Sequence, residues 1–208
     1  MFAFLRGSGG GMESVPLFPL RTVLYPGGLL PLKVFETRYV EMTKACLKDE
    51  RPFGVVLLTQ GEEVAQKDGA PPQFANVGTL ARITSWDMPQ LGILHIATQG
   101  VSRFRVDSHA VDASGLAVGR IVPIAAEPQQ ALPESHAPLA RLLELIATRV
   151  GSANFPAERS YDDASWVGYR LAEFLPLPLS VKQSMLEIND ALVRLQVLHR
   201  FLQQQGVI

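Results

Sequence analysis

Residues 15–39 read VPLFPLRTVLYPGGLLPLKVFETRY, an apolar run interrupted by proline every few residues. Proline has no N–H for a helix interior or a central strand ladder, so this stretch predicts short edge strands joined by turns. Residues 16–21 are predicted as a first strand, 25–28 as a turn, and 30–35 as a second strand that runs straight into a helix. That helix is expected over 37–48, where Tyr39, Met42 or Thr43, and Cys46 recur at helical spacing. Glu36 at its start and Lys44 and Lys48 towards its end suit the helix dipole.

Working outward, 53–58 is a short apolar β run that turns polar at Thr59. The segment up to Gln73 holds Gly69 and Pro71-Pro72 without periodicity, and predicts a long loop. Residues 77–84 and 91–98 alternate with period two, with 85–90 between them as a hairpin-type loop. Two further strands are expected at 100–106 and 117–122. Many short strands with one early helix imply a small, partly closed barrel.

The period changes at 126–133. Beyond it Leu139, Leu142, Leu143, Ile146 and Val150 form one helical stripe. A second helix is predicted to open at Ser160 with Asp163 as its capping-box partner, presenting Val167 and Leu171. A third is predicted to open at Ser180 with Gln183 and to carry an apolar stripe from Met185 through Ile188, Leu192, Leu195 and Leu198 to Leu202. It would run about 25 residues, roughly 37 Å, and end at Gly206. The expected class is α+β, divided into a flexible lead over 1–12, a β-rich part over 13–126 and a helical bundle over 134–208.

With 208 residues, 47% hydrophobic and 19% charged, the chain can bury a substantial core. The formal charge is −1. Residues 1–133 carry 12 basic and 12 acidic side chains and residues 134–208 carry 7 and 8, so neither part has a nucleic-acid footprint. Cys46 is the single cysteine, so no internal disulfide forms. Residues 1–6, MFAFLR, are too short for a signal segment, and 7–11, GSGGG, read as a flexible lead. Proline, glycine or charge interrupts every apolar run before it reaches bilayer-spanning length, and a cytoplasmic location is expected.

Catalytic patterns are weak. The phosphate-cradling G-x-x-x-x-G-K-[ST] does not occur, and Gly27-Gly28 is followed by LLPLK, as a turn would be. His95, His109, His136 and His199 show no metal-type spacing, and His95 reads as a structural histidine. Cys46 reads as a small core residue and Asp162-Asp163 as a helix cap. Arg103-Phe104-Arg105 could stack on bases, but alternation explains it as an inward Phe104 between two solvated arginines. No cofactor or metal is expected. Phe74 after Pro71-Pro72, and Trp86, Met88 and Leu91 around the hairpin, are large apolar residues where turns do not need them, which makes them candidate binding residues.

The order of PLFPL, VLYPGG, LPL and FETRY resembles the start of the Lon protease N-terminal domain, especially its free-standing form. FGVVL at 53–57, VGTLARI at 77–83, GVSRF at 100–104, LAEFLP at 171–176 and VKQSMLE at 181–187 extend the likeness over most of 16–205. The resemblance implies a PUA-like pseudobarrel followed by a bundle of three or more helices. It further implies a non-catalytic module for unfolded or exposed polypeptide, without the ATPase and Ser/Lys peptidase parts, working with a separate protease or chaperone. An RNA-associated PUA-like module is the alternative, and a stand-alone hydrolase a third reading for which no nucleophile and base are placed together.

Overall fold

The computed structural model describes residues 13–62 and 72–208; the lead expected at 1–12 and most of the loop expected before Gln73 lie outside the described residues. The chain forms two compact units, one of Met1–Pro26 with Leu30–Ala125 and one of Gly27–Leu29 with Ala126–Ile208.

The first unit is built from β1 (Glu13–Leu20), β2 (Leu29–Val34), α1 (Thr37–Lys48), β3 (Phe53–Gln60), β4 (Gln73–Gln90), β5 (Ile93–Val111) and β6 (Ala117–Pro123). Their order in the sheet is β2-β5-β4-β3-β1-β6, and β6 pairs again with β5, so five strands close into a ring and β2 adds to β5 outside it. β1 and β3 are parallel, with Leu17 opposite Gly54; β2 and α1 supply the crossover that parallel neighbours need. The pairs β1–β6, β3–β4, β4–β5 and β5–β6 are antiparallel.

The opening strands are not both edge strands as expected: β1 lies between β3 and β6, and it accommodates its prolines because β6 pairs with its first half, Pro16 opposite Val118, and β3 with its second half, Pro19 opposite Val56. Pro26 and Gly27 form the turn, and Gly27 takes φ +74, the left-handed position that a turn with proline before it demands. Thr79 Oγ1 donates to Leu24 O (2.6 Å) and Thr98 Oγ1 to Leu30 O (2.7 Å), fastening both flanks of that turn to β4 and β5.

The hairpin differs from expectation. Residues 85–90, expected as a loop, belong to β4, and the strands expected at 91–98 and 100–106 are one strand, β5, joined to β4 by a turn at Leu91-Gly92. Register shifts between Thr79 and Ala81, Ile83 and Ser85, and Asp87 and Gln90 explain why. Each bulge interrupts the alternation visible in the sequence while the ladder continues past it.

β1 is buried on both faces. Val15 and Leu17 join a cluster around Phe104 and Ile121, whereas Phe18 and Leu20 join another with Tyr39, Phe53 and Val55. Phe18 stacks on Tyr39 of α1 at 3.9 Å between ring centroids. Fully buried Phe104 approaches the backbone so closely that a Cβ at Gly78 would lie 2.7 Å from its Cζ and 2.4 Å from Val55 O, so only glycine fits. Arg103 beside it is also buried, at 4% exposure, so the expected pair of solvated arginines reduces to Arg105. Arg103 lies across the ladder from Thr79, which is itself fully buried, so this level of the sheet is covered on the side the arginine faces.

The second unit contains α2 (Ala137–Val150), α3 (Ala164–Phe174), α4 (Leu179–Glu187) and α5 (Ala191–Gln204). α3 starts one helical turn later than Ser160 would give. Asp163 is its N-cap, accepting from Trp166 N at 2.7 Å, while Ser160 only closes a backbone turn onto Asp163 N. The Ser180–Gln183 box does not form; Pro178 precedes α4, and Gln183 Nε2 donates to Glu187 Oε1 (2.8 Å).

The single long third helix is two helices. Asp190 caps α5 by accepting from Leu192 N (2.8 Å) and Val193 N (3.1 Å). Arg194 meanwhile donates to the carbonyls of Met185 (2.9 Å) and Ile188 (2.6 Å) at the end of α4, satisfying groups that a continuous helix would have bonded itself. At the far end of α5, Val207 N donates to Leu202 O and Gly206 N to Gln203 O, a Schellman closure. Residues 126–133 are integral to this unit: Leu132 N donates to Asp162 O (2.7 Å) and Ala164 N to Gln130 O (2.8 Å).

Candidate functional site

The end of the β4–β5 hairpin is apolar and open. Trp86 is 57% exposed, Met88 38% and Leu91 93%. Trp86 pairs across the ladder with Ile96, which is a buried core residue, so the pleat directs both to one face and the tryptophan extends the core face into solvent. Met88 follows two residues on, its N–H donating to Asp87 Oδ1 (2.8 Å), and Leu91 occupies the turn.

Phe74 is elsewhere. Rather than standing in a loop, it opens β4, twelve residues and roughly 40 Å of strand before Trp86. Its half-buried ring packs on the Phe104 cluster and lies 4.7 Å from the His109 ring. The structure thus brings together three of the four sequence-predicted residues.

A second surface was not anticipated. Where β1 ends and β2 enters α1, Phe18, Leu20, Pro31, Val34, Phe35 and Tyr39 line a groove of about 220 Å³, edged by Lys33 and Glu36. Phe35 is 53% exposed there. The available signal was its position between a strand and a helix, where neither periodicity buries it.

The ionisable groups serve the fold. In the helical unit, Glu127 takes hydrogen bonds from both terminal nitrogens of Arg194, from Ser165 Oγ (2.6 Å) and from Tyr169 Oη (2.6 Å). Arg194 is fully buried and also lies 3.9 Å from the Tyr169 ring centroid. Burial by itself would raise the Glu127 carboxyl, but the bonds from Arg194, Ser165 and Tyr169 outweigh it and hold the group at about 2. Glu173 pairs with Arg170 at 2.9 Å, and burial raises its carboxyl against the pull of Arg170 and Lys182. Burial, reinforced by Asp49, pushes the Cys46 thiol up to about 11, which removes thiolate character at neutral pH.

The histidines depart from expectation. His95, expected as a structural histidine, is exposed and sits opposite Asp87 in the ladder. His136 and His199, 63 positions apart in sequence, meet edge to face with centroids 5.2 Å apart. Burial and the neighbouring His199 lower the His136 imidazole. Among the described residues no group of three or more His, Cys, Asp or Glu could hold a metal, and no helix is long and apolar enough to cross a membrane.

Comparison with known proteins agrees with this architecture. Residues 14–204 match the model of the ATP-dependent protease La (LON) substrate-binding domain. A Lon protease of Phenylobacterium zucineum is 27% identical over 93% of this chain, and one of Anaeromyxobacter dehalogenans is 33% identical over 44% of it. The chain spans only 25% and 11% of those relatives' lengths. The crystal structure of a Lon N-terminal domain protein from Xanthomonas campestris superposes with a TM-score of 0.75 at 34% identity, covering 91% of this chain and 98% of that one. The N-terminal domain of a Mycobacterium avium complex Lon protease shares the fold at a TM-score of 0.56 and 16% identity, covering 89% and 96%. On these grounds the chain belongs to the ATP-dependent protease La (LON) substrate-binding domain family.

Proposed function

We propose that this chain is a non-catalytic polypeptide-binding module of the cytoplasm that recognises unfolded or exposed segments and delivers them to a separate protease or chaperone. The observation that carries the reading is the open apolar end of the β4–β5 hairpin, where Trp86, Met88 and Leu91 are exposed to solvent. A tryptophan, a methionine and a leucine on a projecting ribbon offer adaptable apolar contact, which suits partners defined by exposed hydrophobicity rather than by one sequence. The family match supports the binding role, since the matched model is that of a substrate-binding domain.

The test uses the full chain and a permanently unfolded probe, reduced and carboxymethylated α-lactalbumin, followed by fluorescence anisotropy. Replacing Trp86→Ser and Met88→Ser together is expected to weaken binding about tenfold, the loss of one hot-spot pair, with the circular dichroism unchanged. Binding is expected to vary little between low and high salt. Unchanged affinity in the double variant would refute the surface, and a steep salt dependence with single-stranded RNA would favour the RNA-associated alternative.

A further inference from the structure

The ring of strands has a gap in its wall. β6 begins at Ala117, opposite Leu17 of β1, so its pairing with β1 stops there and Phe18–Leu20 keep only β3 as a neighbouring strand among the described residues. β2 stands last in the sheet order, with β5 as its partner. β4 occupies one edge of β5 from Ile93 to Arg105 and β6 takes the other from Phe104 to Val111, which leaves β2 that second edge ahead of Phe104. β2 and β6 therefore lie end to end along β5, and β6 reaches β1 where β2 does not.

The groove of about 220 Å³ lies in this gap, since Phe18 and Leu20 of β1 line one side and Pro31, Lys33 and Phe35 the other. The Phe18–Tyr39 stack is its aromatic floor, and Phe35, 53% exposed, its open edge. The volume is below the roughly 300–1,000 Å³ of small-molecule sites, and suits side chains of a peptide.

Charge selects among peptides. Glu36 is paired with Arg38 at 3.0 Å, whereas among the described residues the exposed Lys33 ammonium has no ion pair, so the groove mouth carries one uncompensated positive charge. A two-fold contact between copies would bring Lys33 to both sides, and Pro31 has no N–H for a ladder between them; proline and lysine are the residues that keep an edge from pairing with its own kind. A segment with a carboxylate meets the charge instead. Lys33 and Phe35 are two positions apart, which is the period of side chains on one face of an extended chain.

We propose that this groove is a docking site for an extended segment of a partner protein in which an apolar side chain stands two positions from an acidic one. The apolar group rests on the Phe18–Tyr39 floor against Phe35, and the carboxylate pairs with Lys33. The site goes beyond the role given to the hairpin: it is built from β1, β2 and α1 rather than from β4 and β5, and neither surface depends on the other.

The experiment titrates the peptide GSGFTEGS and its lysine counterpart GSGFTKGS into the nitrogen-15-labelled full chain and follows amide shifts by NMR. The acidic peptide is expected to move the amides of Lys33–Glu36 and Tyr39 and to bind about two- to fivefold more tightly than the lysine peptide at low salt, as one exposed ion pair allows. That preference should vanish in about 1 M salt. Lys33→Glu should reverse it, and Phe35→Ser should weaken both peptides about tenfold. The dispersion of the spectrum should stay unchanged in both variants, because both side chains are exposed.

Equal affinity for the two peptides, or a preference that Lys33→Glu does not reverse, overturns the proposal. Shifts confined to the Trp86–Leu91 amides overturn it too, and leave the hairpin reading standing. Groove shifts that appear on concentrating the protein alone assign the site to a second copy, and sodium laurate moving the groove amides where the acidic peptide does not assigns it to an acyl carboxylate; either result overturns it. Groove shifts with the expected preference, in a chain whose affinity for reduced, carboxymethylated α-lactalbumin is unaffected by Trp86→Ser with Met88→Ser, support the docking site while refuting the hairpin surface.

Discussion

Replacing Glu127→Gln removes the negative charge at the centre of the helical unit while keeping the side chain's shape. Arg194 would retain its bonds to the Met185 and Ile188 carbonyls, but its charge would be buried without a counter-charge. The amide nitrogen would also face donors from Arg194, Ser165 or Tyr169. Breaking a buried pair by removing one partner costs about 3–5 kcal/mol. An independent figure comes from linkage: a carboxyl held at about 2 against a reference of 4.5 contributes about 3 kcal/mol at neutral pH. Because the folded value is depressed, that contribution is complete above pH 4.5 and disappears as pH falls from there to about 2. Urea unfolding followed by circular dichroism at 222 nm should show the variant less stable by about 3 kcal/mol at pH 7 and by only about 1 kcal/mol at pH 3. A difference below about 1 kcal/mol at pH 7, or one that does not shrink in acid, would refute the account of Glu127 as the ionised centre of this network.

Gly78→Ala should destabilise the β unit by about 2–3 kcal/mol in urea titration, because the new methyl meets the Val55 carbonyl and the Phe104 ring; a loss under about 0.5 kcal/mol would show that the barrel interior has room to yield. Asp163→Ala should cost about 1 kcal/mol and Ser160→Ala much less, a ranking that thermal unfolding of the two variants checks directly. Folded protein at pH 7 should react with a disulfide reagent at Cys46 at least about a hundredfold more slowly than the urea-unfolded chain, given a buried thiol raised to about 11.

Local order was legible where a short window contains its own cause. α1 occupies the residues its spacing predicts, 37–48, because its buried Tyr39, Met42, Thr43 and Cys46 recur within one helix and its charges suit its ends. The Pro26-Gly27 turn, the α3 cap at Asp163 and the closure at Gly206 are likewise set by residue types that only a few backbone conformations accept. Trp86, Met88 and Leu91 stood out because a turn does not need large apolar side chains, and the solvent exposure of all three follows from the hairpin's length.

What failed was whatever depends on partners distant in the chain. An apolar stripe runs unbroken from Met185 to Leu202, so sequence periodicity alone reads one helix; the break at Ile188 exists because Arg194 and Asp190 bond the two ends that it creates. Glu127 has no local signal of its role, because the partner that defines it, Arg194, is 67 residues away. Phe74, adjacent to Pro71-Pro72 in sequence, belongs to a strand because Leu58 and His109 lie beside it in space. The Phe35 groove needs β1 and β2, which pair with different strands, to converge at the start of α1. Composition, spacing and backbone stereochemistry by themselves therefore determined the α+β class, the short-element opening and most helix positions. Bulge register, the split of the last helix and the surfaces open to a partner were decided by tertiary structure, since each depends on hydrogen bonds and packing between residues that no local window contains.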